Sequence, residues 1–256
     1  MVRKILSIVL WVATAAGLIV LFIFSRENYL TTPVQSVNLE IERANDSGFI
    51  KEKTVLSSID HFCSKANIGT LNLVAISKQL SGNPWIESSS SYVDLDGNLN
   101  VSIKEHTPVM RVFGKDGQSI YVTDNGILLP SSKEYTPYVL VASGNFDFGN
   151  LVASRQLCDS IEADHNLINA LHLFKAVEKN SFMKNSVGQI YCDNKNSFNI
   201  VIRDIDAKVV VGDTCDMDDK LKRAEIFIKQ KANTNEIKEM KIINLQYKNQ
   251  IVCTKR

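Results

Sequence analysis

Residues 85–105, WIESSSSYVDLDGNLNVSIKE, contain two alternating segments that are separated by a turn. In the second segment apolar residues recur with a period of two, which is typical of a strand with one buried face: Leu99, Val101 and Ile103. Asp96-Gly97 lies between the segments, and this dipeptide in such a position is a strong hairpin signal. We therefore predict antiparallel strands over 85–93 and 99–105.

The sequence that precedes this hairpin predicts one strand and two helices. Residues 34–41 alternate as a strand does, and the next segment has an apolar stripe at helical spacing, formed by Val55, Leu56, Ile59, Phe62 and Cys63. Asn72 is a suitable N-cap for the second helix, Gly82 ends it, and Asn83-Pro84 prevents its continuation. The predicted order is β-α-α-β-β over residues 34–106, with both helices on one face of a three-stranded sheet.

An uncharged apolar run lies near the N-terminus, at residues 5–24. A helix of this length, at about 1.5 Å per residue, matches a hydrocarbon core about 30 Å thick. Arg3 and Lys4 precede the run, so the positive-inside rule predicts a cytoplasmic tail at 1–4 and an exported chain after a polar connector at 25–33. A cleaved signal peptide is the alternative, but its apolar core would be shorter and would end in small residues, whereas this run ends in Phe24.

The remaining residues, 107–256, are predicted to form a β-rich domain with a few helices. Apolar segments between turns predict strands at 110–113, 119–122, 127–129, 138–142, 189–192, 198–203, 208–211, 241–247 and 251–252. One helix has an inner face of Leu167, Ala170, Leu171, Phe174 and Val177. In the last helix Met217, Leu221, Ala224 and Ile228 are predicted to face inward, and Lys220, Lys222 and Arg223 outward. The fold class is therefore α+β with a single N-terminal transmembrane helix.

Composition and motifs argue against several classes of function. The chain carries a net charge of +1 with no basic stripe, so nucleic acid is not an expected partner. Five cysteines form no C-x-x-C pair, which favours free thiols over disulfides or a zinc site: Cys63, Cys158, Cys192, Cys215 and Cys253. His165 with His172, and the acidic cluster Asp216, Asp218 and Asp219, are interpreted as structural. Catalytic and nucleotide-binding motifs are missing, and no cofactor or metal is predicted.

Four local motifs give the whole chain a resemblance to the FtsQ/DivIB family of bacterial cell-division proteins. They are Asn83-Pro84-Trp85-Ile86, Glu105-His106-Thr107-Pro108-Val109, the turn 120–126 with Leu129-Pro130 behind it, and Ile242-Ile243-Asn244-Leu245-Gln246-Tyr247. The resemblance implies a POTRA domain (β-α-α-β-β) at 34–106 and a C-terminal β domain at 107–256. Asn244 and Gln246 stand where many members have Asp and Arg, so a salt bridge made there would be lost.

The resemblance also implies a function without catalysis. The chain would be a scaffold of the division septum in the inner membrane, linking early and late division proteins and helping to control septal peptidoglycan synthesis by contact. The POTRA domain would receive upstream divisome proteins, and the C-terminal strand would bind FtsB/FtsL (DivIC-like) proteins. Residues 241–252, close to the chain end, are predicted to be an edge strand that a partner strand can extend. The predicted partner-binding residues are Ile242, Ile243, Asn244, Leu245, Gln246, Tyr247, Ile251 and Val252.

Two alternatives remain open at this stage, and a third does not fit the number of residues. Both sheet edges could be covered internally, in which case these apolar residues form only core. A signal-anchored envelope hydrolase acting on cell-wall polymer would need two carboxylates in one cleft, and Asp147, Asp204 and Glu162 are available. A POTRA protein of the outer-membrane insertase class would need several POTRA units and a long barrel, for which residues 106–256 are too short.

Overall fold

The computed structural model describes residues 2–64, 66–148, 165–234 and 236–256. The chain divides into two compact units, Met1–His106 (unit 1) and Thr107–Arg256 (unit 2). It contains an N-terminal apolar helix and a β-rich sheet domain, which confirms the predicted α+β class.

The N-terminal helix α1 comprises Val2–Thr31. Within the described part of the chain it is the one helix long and apolar enough to cross a membrane, and its side chains over 9–28 are exposed. The helix continues to Thr31, so most of the connector predicted at 25–33 is helical. In its last turn the Thr31 hydroxyl donates to the Glu27 carbonyl oxygen, one turn back, at 3.1 Å.

The rest of unit 1 has the predicted order β-α-α-β-β. Its elements are β1 (Val37–Glu42), α2 (Glu52–Cys63), α3 (Leu73–Ser81), β2 (Ile86–Val93) and β3 (Leu99–Glu105). The sheet order is β1-β3-β2, with β1 parallel and β2 antiparallel to the central β3. The assignment of this unit as a POTRA domain stays a prediction.

The core of unit 1 lies between its sheet and the two helices. The helices contribute Val55, Ile59, Cys63, Ile76 and Leu80, and β3 contributes Leu99, Val101 and Ile103, all of them buried. Leu56 was predicted in the inner stripe but is 37% exposed, because the buried face of α2 is narrower than its apolar pattern.

A buried carboxylate at the end of β3 binds the loop between β1 and α2 in unit 1. Glu105 accepts hydrogen bonds from the backbone N–H groups of Phe49 (2.6 Å) and Ile50 (3.2 Å), and Arg43 Nε lies 3.5 Å from its Oε2. The Phe49 ring stacks on Trp85 with 3.5 Å between the ring centroids. These contacts hold the loop between β1 and α2 against the end of the hairpin.

Unit 2 is built on one nine-stranded sheet. Its elements are β4 (Pro108–Phe113), β5 (Ser119–Thr123), β6 (Leu128–Pro130), β7 (Leu140–Gly144), α4 (His165–Lys179), α5 (Ser181–Ser186), β8 (Val187–Cys192), β9 (Phe198–Ile202), β10 (Lys208–Gly212), α6 (Met217–Asn233), a 3-10 helix (Glu236–Glu239), β11 (Met240–Asn244) and β12 (Val252–Lys255). The strand order across the sheet is β12-β11-β10-β9-β8-β7-β4-β5-β6.

Side chains of α4 and α6 join those of the strands in a single core. The predicted inner face of α4 is confirmed, since its five residues are all buried: Leu167, Ala170, Leu171, Phe174 and Val177. The inward face predicted for α6 is confirmed in the same way, by Met217, Leu221, Ala224 and Ile228.

Candidate partner-binding edge

The C-terminal hairpin forms one margin of the large sheet. β11 pairs in parallel with β10, at Val209↔Ile243, and antiparallel with β12, at Ile243↔Cys253. β12 has β11 on one side and no other strand of the described chain on its second side. In an edge strand of this kind, part of the backbone N–H and C=O groups point away from the sheet.

This topology corrects the predicted position of the edge. Residues 241–252 were expected to form the edge strand because the chain ends soon afterwards, but they contain most of the interior strand β11 and only the first residue of the edge strand β12. The last four residues before Arg256, Val252–Lys255, form the edge themselves. The reason is that the hairpin folds the chain end back on the outer side of β11.

Burial divides the eight predicted binding residues into two groups. Ile243 and Leu245 are fully buried in the core of unit 2, so they cannot touch a partner while the domain is folded. The other six have exposed or half-buried side chains: Ile242, Asn244, Gln246, Tyr247, Ile251 and Val252. Two of them are exposed large apolar side chains, Tyr247 at 49% and Val252 at 43% exposure.

Arg223 of α6 holds the loop of this hairpin. Its Nη1 donates to the carbonyl oxygens of Tyr247 (3.1 Å) and Gln250 (2.9 Å), and its Nε donates to Asp219 Oδ2 (2.8 Å). The prediction that Arg223 faces outward is therefore wrong, because its side chain is only 18% exposed and lies over the loop carbonyls.

Lys220, about one turn earlier on α6, does not face outward as predicted either. Its side chain is 8% exposed, and its ammonium donates to Asp213 Oδ1 (2.5 Å) and to the Asp213 carbonyl oxygen (3.0 Å). This hydrogen bond from the ammonium lowers the pKa of the Asp213 carboxyl from its ordinary value. Of the three basic residues predicted to face solvent, Lys222 alone does so.

A neutral pair replaces the salt bridge that the resemblance implied at the end of β11. Asn244 Nδ2 donates to Gln246 Oε1 at 3.2 Å, and the Gln246 backbone N–H donates to Asn244 Oδ1 at 2.9 Å. Gly212 has φ +83°, and a Cβ there would lie 2.6 Å from Gln246 Cγ. The glycine at the end of β10 thus lets the Gln246 side chain lie against the backbone.

Charged side chains flank the edge strand. Lys255 of β12 lies 3.1 Å from Glu239, and Arg256 lies 3.1 Å from Asp206, with all four side chains more than half exposed. A lysine on an edge strand disfavours pairing between identical copies, because the two strands would bring like charges together.

Burial raises the pKa of the Cys253 thiol in the middle of β12.

The acids suggested for a hydrolase do not come together in the described part of unit 2. Asp147 and Asp204 are exposed, and Glu162 lies outside the described residues. A cavity of about 530 Å³ lies beside α4 and the start of α6. Its three carboxylates, Asp216, Asp218 and Asp219, all come from the start of α6, whereas α4 supplies His172, Lys175 and Lys179. The three carboxylates of this cavity therefore face basic side chains of α4 rather than a carboxylate from another element.

The cysteines and histidines likewise form no site among the described residues. Cys63 and Cys192 are buried free thiols, Cys215 is an exposed one, Cys253 is half-buried, and Cys158 lies outside the described residues. His165 and His172 lie on α4, and no group of three metal-ligating side chains occurs in the described ranges.

Sequence comparisons relate this chain to known cell-division proteins. The profile of the family described as "FtsQ/DivIB, C-terminal related" matches residues 107–254, which is nearly all of unit 2. The cell division protein DivIB of Clostridium tetani (strain Massachusetts / E88) is 25% identical over 224 residues. That alignment covers 82% of this chain and 77% of the clostridial protein, so it extends well beyond unit 2.

Proposed function

This chain belongs to the FtsQ/DivIB family of cell-division proteins, and from that premise we propose that it is a membrane-anchored scaffold of the divisome. It links early and late division proteins at the septum and helps to control septal peptidoglycan synthesis through contacts with other proteins.

The free edge of β12 is the observation that carries this proposal. A partner strand that pairs with Val252–Lys255 would bond to backbone groups on the side of β12 where the described residues place no strand, and it would extend the nine-stranded sheet by one strand. Val252 and Tyr247 supply apolar contacts beside that strand. We assign this edge to FtsB/FtsL (DivIC-like) proteins, because the resemblance gives them the C-terminal strand as their binding site.

The anchor α1 supports a type II orientation. Its apolar run spans the inner membrane, and Arg3 and Lys4 hold the short tail in the cytoplasm. Both units then lie outside the cytoplasm, where the cell wall is made. Unit 1, proposed as a POTRA domain, has two sheet edges, β1 and β2, that no further strand of the described residues extends, and upstream divisome proteins would bind through them.

The proposal is tested by capture of partners with two matched full-length variants. Val252→Glu places a charge at the edge, and Val201→Glu makes the same replacement on β9, where Val201 is 48% exposed. The proteins are purified from detergent-solubilised cells, and the bound proteins are identified by mass spectrometry.

We expect small single-pass division proteins to bind the wild type and Val201→Glu and to be lost from Val252→Glu. Equal capture by both variants would reject the β12 edge as the binding site. Absence of division proteins from the wild-type sample would count against the scaffold function itself.

A further inference from the structure

One end of unit 1 carries its most exposed apolar side chains. Outside α1, the three largest exposures among the large hydrophobic residues of unit 1 that the structure describes are Leu95 at 91%, Val74 at 79% and Tyr92 at 60%. Single exposed apolar side chains are common and need no explanation, but these three share one end of the fold.

Strand direction places Leu95 and Tyr92 at the end of unit 1 that receives α1. β1 follows α1 after a short loop and runs parallel to β3, with Val37 opposite Leu99, so the start of β3 also lies at the α1 end. The turn at 94–98 precedes β3 and carries Leu95. Tyr92 is opposite Asn100 near the end of β2, so it lies at the same end of the sheet.

Hydrogen bonds fasten this end to the last turn of α1. The Tyr29 hydroxyl donates to the Asp94 carbonyl oxygen at 2.8 Å, next to Leu95 in the turn. The Gly69 N–H donates to the Leu30 carbonyl oxygen at 2.9 Å, five residues before Val74 in the chain. The turn that carries Leu95 and the loop before α3 are thus both tied to the helix.

The position of these hydrogen bonds along α1 gives their distance from the hydrocarbon core of the membrane. Tyr29 is five residues beyond Phe24, which is about 7.5 Å along the helix axis. The headgroup layer on each side of a bilayer is about 5–7 Å thick, so Tyr29 stands near its outer limit. Helical side chains point back toward the N-terminus, so the Tyr29 hydroxyl and the turn bonded to it lie nearer to the lipid than its Cα.

We propose that Leu95, Tyr92 and Val74 contact the lipid of the extracytoplasmic leaflet, as a second membrane contact continuous with α1. This inference rests on the proposed anchor. Tyrosine is well suited to the interface, because its ring is apolar and its hydroxyl remains in water.

The contact is apolar rather than electrostatic. The Asp94 carboxylate is used within its own turn, where it accepts bonds from the Asn98 N–H (2.9 Å), the Asp96 N–H (3.0 Å) and the Asn100 amide (3.1 Å). Asp96 is a further acid in the same turn, so anionic headgroups would repel it. Electroneutral lipid is therefore the lipid that this surface fits.

A depth measurement on the full-length protein tests the proposal. The protein is reconstituted in phosphatidylcholine nanodiscs that contain lipids spin-labelled just below the headgroup. One fluorescent amino acid is introduced at a time by amber suppression, in place of Leu95, Glu87 or Leu18. Glu87 is the matched control, because it is exposed on β2 at the far end from Tyr92, about 16 Å away at about 3.3 Å per residue. Leu18 reports on α1.

We expect quenching at position 95 to be several-fold stronger than at position 87, and the probe at position 18 to be shielded from water-soluble quenchers. Equal, weak quenching at 95 and 87 with a shielded probe at 18 would overturn the lipid contact and leave the anchor intact. A probe at 18 that is open to water-soluble quenchers would overturn the anchor and, with it, this inference. Thermal unfolding of the position-95 variant should match the wild type, because Leu95 is 91% exposed.

Discussion

Arg223 Nη1 donates to the carbonyl oxygen of Gln250 at 2.9 Å and so joins α6 to the loop that carries β12. The same guanidinium also bonds the Tyr247 carbonyl oxygen, and Asp219 orients it from the preceding turn of the helix. A single side chain thus links the helical layer of unit 2 to the edge that we propose as the partner site.

Arg223→Ala is expected to loosen this hairpin without unfolding unit 2. Hydrogen bonds from a charged donor contribute about 1.5–3 kcal/mol, so amide exchange over 245–255 should accelerate by about tenfold or more. Hydrogen exchange of the full-length protein in detergent, followed by mass spectrometry, measures this. Lys222→Ala, an exposed neighbour on the same helix, is the control and should leave exchange unchanged. If the two variants exchange alike, the Arg223 contacts do not hold the loop.

Leu245→Ala should destabilise unit 2, although this residue was predicted to bind a partner. Leu245 is fully buried, and removing a buried leucine side chain costs about 2–5 kcal/mol. Tyr247→Ala, at 49% exposure, should cost much less. Thermal unfolding of both full-length variants compares them. A small effect of Leu245→Ala would mean that the residue is not part of the core.

A charge at position 245 therefore cannot separate binding from folding. A buried unpaired carboxylate is costly, so Leu245→Glu would disrupt the domain that presents the edge. Val252 is the better position for a charge, because its side chain is already 43% exposed.

Glu105→Ala should be among the most damaging changes in unit 1. It leaves the N–H groups of Phe49 and Ile50 and the Arg43 guanidinium without their common acceptor, at a cost of about 3–5 kcal/mol. Glu87→Ala is the matched control, because its pair with Lys104 is exposed and such pairs contribute about 0–1 kcal/mol. Chemical denaturation of the two variants measures the difference. Similar midpoints would show that the buried carboxylate does not stabilise the loop.

The Asp213–Lys220 pair should make stability depend on pH in the acid range. The pKa of Asp213 is lower in the folded protein than in the unfolded chain, so its contribution is present above the unfolded pKa and is lost as the pH falls through the folded one. Asp213→Asn should therefore cost about 0.5 kcal/mol at neutral pH, because solvent screens a carboxylate whose side chain is 71% exposed, and the difference in stability from wild type should shrink as the pH falls below about 4.

Thermal unfolding of the full-length protein across this pH range is the measurement. Asp206→Asn is the control, since Asp206 pairs with Arg256 at a site where both side chains are exposed, and it should change stability little at any pH. A gap for Asp213→Asn that stayed constant down to pH 2 would contradict the assigned pKa shift.

Local patterns were sufficient for much of this fold. The hairpin at 86–105, both helices before it and the inner face of α4 follow from residue spacing and turn chemistry, which depend on neighbours in sequence. Burial of Lys220 and Arg223 could not be predicted in this way. Their positions on the polar side of α6 suggest solvent, and their acceptors, Asp213 and the carbonyls at 245–250, come together only when the sheet is assembled.

The sequence by itself determined the long apolar N-terminal helix, the β-α-α-β-β order, the β-rich second unit and the family. Each of these depends on composition, period or motif along the chain. Only the tertiary structure decided that nine strands form one sheet, that β11 is interior and that β12 is its edge. The physical reason is that alternation tells which face of a strand is buried, whereas its neighbours in the sheet are chosen by long-range backbone pairing, which leaves no local signature.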